Sequence, residues 1–207
     1  MNTIPEPPLL VISDRSQTTL PLIEVAAAAF AGGCRWFSLR EKDMPAPERR
    51  ALFGELVALG RRWHATVTVH DDIEAALMVG ANGIHLPGGA DPAIARARLP
   101  FGLIGASAHS PQEALTLLRT GADYVTLSPI FLTASKPGYG PALGLDGLRA
   151  AAAAVPGPIV ALAGIDASNA AQCLAAGAAG VAVMGEVMRA ADPETVVRDL
   201  IAALVRA

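Results

Sequence analysis

A chain of 207 residues, 52% hydrophobic and 17% charged, carries enough apolar material for a large core without covalent staples, and with no polar linker residues 1–207 are expected to form one domain. Its net charge of −3 gives no basic field that would call for nucleic acid or an anionic membrane as partner. The opening MNTIPEPP lacks a basic region followed by an apolar core, and no apolar run reaches ~18 residues, so neither a signal peptide nor a membrane span is expected.

Short β-type runs alternate with helical stretches along the whole chain. In order they are a strand over Leu9–Asp14, a helix over Pro21–Ala31, a strand over Trp36–Arg40, a helix over Pro45–Leu59 and a strand over Thr66–Asp71. A helix over Ile73–Val79 and strands over Gly83–Leu86 and Leu103–Ala108 follow, then a helix over Pro111–Arg119 and a strand over Tyr124–Pro129. The last are helices over Leu145–Ala154, Ser168–Ala176 and Pro193–Val205, with strands over Ile159–Gly164 and Gly180–Met184 between them. Most strands are dense in Val, Ile and Leu rather than alternating, as parallel strands covered on both faces require. Several helices open on Pro or a capping Asp or Ser, and Gly60, Gly80, Gly121 and Gly177 lie where a left-handed C-cap is wanted.

Eight strand–helix units at about 26 residues each point to an α/β fold, a single (β/α)8 TIM barrel near its lower size limit. The rival is an open doubly wound sheet, but the first strand runs into Ser13-Asp14-Arg15 and not into a glycine-rich dinucleotide turn. Cys34 and Cys173, both in apolar segments, read as buried reduced thiols of a cytoplasmic protein.

In a barrel of this kind the strand C-termini and the loops after them carry the chemistry. Arg40, Glu41 and Lys42 follow strand two, and His70, Asp71 and Asp72 close strand three. Asp91 comes after the Pro87-Gly88-Gly89 turn of strand four, while Ser107, His109 and Ser110 end strand five. Ser128 ends strand six, and its loop bears Thr133, Ser135, Lys136 and Tyr139. Arg40 and Lys42, with Lys136 from the other side of the mouth, are suited to clamp a phosphate or diphosphate. Asp71 among these cations suits a hard cation such as Mg²⁺, whereas Asp72, nearer the next helix, suits an N-cap. Ala163-Gly164-Ile165-Asp166 and Met184-Gly185-Glu186 supply the small residues of a phosphate cup, with Ser168 or Asn169 opening a helix toward it. Among the histidines, His109 has the best claim to proton transfer; His85 reads as a satisfied core or rim residue and His64 as surface. Their spacing gives no zinc site, and no P-loop, nucleophile elbow or serine triad is present.

These residues, in order from position 9 to about 190, resemble the thiamin phosphate synthase family, which includes the related thiazole tautomerases. The resemblance is carried by Leu9 to Asp14, Ser38-Leu39-Arg40-Glu41-Lys42, Val69-His70-Asp71, Gly83-Ile84-His85-Leu86, Gly105-Ala106-Ser107-Ala108-His109-Ser110, Gly121-Ala122-Asp123-Tyr124-Val125 and the loop from Pro129 to Lys136. It implies thiamin biosynthesis: coupling of hydroxymethylpyrimidine diphosphate with thiazole phosphate, by loss of diphosphate and capture of the pyrimidine cation. Carried over, Arg40, Lys42, Lys136 and Ser107 hold diphosphate and Asp71 binds Mg²⁺. Thr133, Gly164 and the Met184-Gly185 backbone then hold the thiazole phosphate, with Ser135 a further substrate-binding residue.

Three departures stand out. Ser38 replaces a glutamine and His70 an asparagine, both at substrate-binding positions. Pro87-Gly88-Gly89-Ala90-Asp91 replaces a Gly-Gln-Glu-Asp turn, so the second metal position falls on Ala90 in strict register or on Asp91 with one insertion. The alternatives left open are a metal-free tautomerase with His109 as acid/base, which needs no cofactor, and a non-catalytic barrel that binds a thiamin precursor. The partners implied are small phosphorylated pyrimidine and thiazole compounds; self-association is left open.

Overall fold

The structure is a computed structural model that describes residues 3–133, 138 and 140–205. Eight strands form one closed parallel barrel in the order β1 to β8, each paired with its sequence neighbours and β1 closing on β8. They are β1 (Leu9–Ile12), β2 (Trp36–Leu39), β3 (Thr66–His70), β4 (Gly83–Leu86), β5 (Leu103–Ala108), β6 (Tyr124–Leu127), β7 (Ile159–Leu162) and β8 (Gly180–Val183). The helices are α1 (Leu22–Ala31), α2 (Ala46–Arg62), α3 (Ile73–Val79), α4 (Pro92–Arg98), α5 (Pro111–Arg119), α6 (Gly144–Ala154), α7 (Ala170–Ala175), α8 (Gly185–Met188) and α9 (Pro193–Val205). The (β/α)8 barrel expected from the sequence is thus the fold. No described helix is long and apolar enough to cross a membrane.

Several strands stop one or two residues short of the expected ends. Asp71 and Ala163 have φ of 53° and 86°, which no strand accommodates, so the chain leaves the ladder there and turns into its loop. Helix α4 is absent from the sequence reading: it opens on Asp91-Pro92, an N-cap followed by proline at the first helical position. Helix α7 starts later than expected because Asp166 to Asn169 form a hydrogen-bonded turn, with Asp166 Oδ1 accepting from Ser168 N at 2.8 Å.

Two cores result. The larger lies between barrel and helices; the smaller fills the barrel interior with Leu10, Ile12, Trp36, Leu103, Tyr124, Val160 and Ala182. Trp36 and Tyr124 meet edge-to-face at 4.7 Å across that interior, the arrangement ring quadrupoles favour. Gly105 makes the room: a Cβ there would overlap the Tyr124 ring. Above this plug the interior turns polar, with Ser38, Thr68, His85 and Thr126 all buried. This polar layer is the floor of the site.

Candidate active site at the C-terminal mouth

A cavity of about 450 Å³ opens at the C-terminal ends of the strands. Arg40, Lys42, His70, Ser107, His109, Thr133, Gly164, Met184 and Gly185 all line it, so residues from six of the eight strand ends or the loops that follow them converge as the sequence analysis expects. Ser135, Lys136 and Tyr139 lie outside the described residues.

The cationic wall is set by a buried brace. Glu41, 2% exposed, accepts from Ser13 Oγ at 2.6 Å and from Arg15 N at 3.1 Å. Ser13 Oγ in turn accepts from Arg40 N at 2.8 Å, so the loop after β1 fixes the backbone at Arg40. Burial raises the Glu41 pKa, against the lowering effect of those hydrogen bonds. Glu41 is therefore a structural strut, not a residue of the open mouth. Arg40 lies 3.9 Å from Asp14 Oδ2 and is half-buried, while Lys42 is exposed.

On β6 to β8 the walls are made by close backbone approach. Phe131 N donates to Ala163 O at 3.1 Å and Ile130 N to Leu162 O at 3.0 Å, zipping the loop that leads to Thr133 onto the end of β7. Gly164 has φ of 65°, and a Cβ there would overlap Leu132 O and lie 2.7 Å from Phe131 Cβ. Asn169 Nδ2 donates to Gly164 O at 3.0 Å and holds the turn from outside; Asn169 is also the N-cap residue of α7, its side chain making no capping hydrogen bond. After β8 the chain enters α8 at Gly185, and Arg189 at its C-cap reaches back over that glycine to Gln17 and lines the cavity. Arg189 was not expected. Its only sequence signal is a cation one helical turn after a strand-end glycine.

The floor is a pair of stacked imidazoles. The rings of His70 and His85 lie 4.6 Å apart at 26°, following the β3–β4 register that sets these residues side by side. Burial lowers both pKa values, that of His85 to about 3 and that of His70 well below 6.5, with His85, Arg40 and Lys42 adding repulsion at His70. The floor is therefore uncharged at neutral pH. His70 Nε2 is buried and has no hydrogen-bond partner among the described residues. His109 sits on the rim: Ser110 Oγ caps α5 by accepting from Glu113 N at 3.2 Å, and Glu113 Oε2 reaches back to accept from His109 N, one residue before the cap, at 2.7 Å. Its Nδ1 lies 3.0 Å from the Ser128 carbonyl, which can only accept, so Nδ1 carries the proton and Nε2 is the basic nitrogen.

Two expectations are corrected. Ser38 does not reach the cavity: it is fully buried in the interior layer, its hydroxyl 3.0 Å from that of Thr68, because its strand position points inward below the rim. Asp91 is not placed as a metal ligand: its Oδ1 accepts from Ala93 N at 2.9 Å as the cap of α4, and it is absent from the main cavity lining. Asp71 is exposed on the rim of β3, also outside that lining, and Asp72 caps α3 by accepting from Ala75 N at 2.8 Å. Among the described residues no three His, Cys, Asp or Glu side chains group to hold a metal ion. The described residues therefore do not form a Mg²⁺ site from protein ligands alone.

A closed parallel barrel with polar side chains gathered at one C-terminal mouth is the architecture of (β/α)8-barrel enzymes. The family profile for thiamine monophosphate synthase matches residues 9–187, and the chain belongs to that family. It is 40% identical to the thiamine-phosphate synthase of Moorella thermoacetica over 200 residues, covering 96% of this chain and 95% of the relative. A putative thiamine-phosphate synthase of Geobacter sulfurreducens is 39% identical over 199 residues, 95% and 93% of the two chains. Among solved structures, thiamine phosphate pyrophosphorylase from Pyrococcus furiosus superposes with a TM-score of 0.87 at 33% identity, covering 96% of this chain and 95% of that one.

Proposed function

We propose that the protein is a thiamine-phosphate synthase, joining hydroxymethylpyrimidine diphosphate to thiazole phosphate with release of diphosphate. The observation that carries this reading is one cavity with two anion-receptive groups, Arg40 and Lys42 after β2 and Gly164, Gly185 and Arg189 on β7 and β8, above an uncharged floor. Two phosphorylated substrates need two such groups. In this reaction the C–O bond between the pyrimidine methylene and the diphosphate breaks, the electron pair leaves with diphosphate, and the thiazole nitrogen captures the carbocation. Arg40, Lys42 and Lys136 offset the charge developing on the leaving group, and Ser107 donates to it. His70 and His85, kept neutral by burial, lie below the pyrimidine cation without repelling it. Thr133 with the backbone at Gly164 and Met184-Gly185 receives the thiazole phosphate, and Arg189 adds a guanidinium there. Mg²⁺ favours substrate phosphate oxygens joined by one or two carboxylates, and Asp71, exposed at the end of β3, would be the residue to join them on the diphosphate side.

A second reading, metal-free isomerisation of a thiazole carboxylate phosphate, is favoured by two observations. Asp91 is committed to a helix cap, and His109 presents Nε2 as a base with its tautomer set by Ser128. The two separate in one experiment: purified protein with both synthase substrates, then with the carboxylate alone, each with and without Mg²⁺. The synthase reading expects thiamine phosphate and diphosphate in equal amounts. Solvent-proton exchange on the carboxylate substrate, with no coupling of the other pair, overturns it.

A further inference from the structure

Beneath the cavity runs a chain of polar side chains from five strands. Ser38 and Thr68 hydroxyls are 3.0 Å apart, and the Thr68 side chain neighbours the Tyr124 hydroxyl, favouring its ionised form against the burial that raises its pKa. Tyr124 Oη lies 3.0 Å from His85 Nδ1, and His85 Nε2 lies 3.1 Å from Ser107 Oγ and 3.4 Å from Thr126 Oγ1. Every member except Ser107 is buried; His85 and Ser107 both line the cavity. Ser107 is the one hydroxyl of the chain that does so.

We propose that His85 is a positioning residue: Tyr124 locks its imidazole with the proton on Nε2, Nε2–H donates to Ser107 Oγ, and the Ser107 hydroxyl proton is thereby aimed into the cavity as a donor to a ligand oxygen. The direction follows from the donors available. A neutral imidazole has one N–H and one lone pair. A buried phenol donates more readily than an aliphatic hydroxyl, and the sole nitrogen in reach of Tyr124 Oη is Nδ1. With Nδ1 accepting, Nε2 must donate. The nearer of its two hydroxyl neighbours, Ser107, then receives that proton and keeps its own for the ligand. The opposite tautomer would make Ser107 donate inward and present lone pairs to the cavity, the wrong polarity for a phosphate. Gly105 belongs to the device, because its missing Cβ lets the Tyr124 ring approach. The stack on His70 holds the imidazole plane from the other side.

The tautomer is a property of the protein alone; the consequence for ligands rests on the reading that the cavity takes a phosphorylated substrate. Two-bond ¹H–¹⁵N spectra of histidine-labelled protein, with His85 assigned from its loss in His85→Gln, are expected to show a neutral Nε2–H ring unchanged from pH 5 to 9. A Nδ1–H or protonated ring overturns the proposal, whatever the enzyme's reaction. Inorganic diphosphate titrated calorimetrically is the binding probe. Tyr124→Phe and Ser107→Ala are each expected to weaken it about 10- to 100-fold, the worth of one hydrogen bond to a charged group. The double variant should bind no more weakly than Ser107→Ala alone, since both remove the same donor. Independent, multiplying effects overturn the proposal. In turnover, His85→Gln, whose amide can still donate, should recover much of the rate that His85→Leu loses. If wild type binds diphosphate with this coupling yet forms no thiamine phosphate, only the assigned reaction fails.

Discussion

Replacing His85 with Gln should flatten the acid limb of the stability curve, and the size of the effect can be worked from its burial. His85 is 1% exposed and its pKa is depressed from 6.5 to about 3, so between those values the unfolded chain takes up a proton that the folded protein refuses. Stability contributed by the neutral ring is full above pH 6.5 and is lost as pH falls toward 3, at about 1.4 kcal/mol per pH unit and about 5 kcal/mol in all. That is a large fraction of the ~5–15 kcal/mol typical of a folded domain. His70, depressed for the same cause, adds in the same direction, whereas Glu41, whose pKa burial raises, opposes it at the acid end. Both of those are common to wild type and variant, so the difference isolates His85. Urea unfolding from pH 7.5 to 4.5 is the assay: wild type should lose about 2–3 kcal/mol more than His85→Gln over that range. The variant will start lower at pH 7.5 because it disturbs a buried network, so the slope and not the intercept is diagnostic. Parallel slopes would show that the ring is charged or solvated in the folded protein and would refute the neutral floor.

Four other substitutions test the walls and the α4 cap. Gly164→Ala places a methyl group at φ of 65° against Leu132 O and Phe131, at about 2–5 kcal/mol from backbone strain plus overpacking; a melting temperature and thiazole phosphate KM equal to wild type would contradict the close approach described. Arg189→Gln should raise the KM for thiazole phosphate about 10-fold with little change in kcat. Gly185→Ala, whose Cβ would lie 2.5 Å from Arg189 Cζ, should act through the same guanidinium and add little in the double variant. Asp91→Ala should cost about 1 kcal/mol through the lost cap of α4 and leave the Mg²⁺ concentration dependence of turnover where it was; a rightward shift of that dependence would restore Asp91 as a ligand.

The sequence alone determined the parts whose signals are local. Continuous Val/Ile/Leu runs and capped helices at a short, regular spacing suffice for eight strand–helix units, and the rule that barrels work at their strand C-termini places Arg40, Lys42, His70, Ser107, His109, Thr133, Gly164, Met184 and Gly185 around one mouth. Only the closed barrel decided what depends on neighbours far along the chain. Asp91 reads as a candidate metal ligand until Ala93 N is seen to take its oxygen. Ser38 reads as a substrate contact until its strand is paired with β3 and its hydroxyl is seen to turn to Thr68. His85 is one more apolar-strand histidine until the register brings Tyr124, Ser107 and His70 around it. Arg189 joins the site because α8 is a single turn that folds its end back over Gly185. Hydrogen bonds reach about 3 Å, and which donors stand within that reach is fixed by strand register and barrel closure, properties that no stretch of sequence carries by itself.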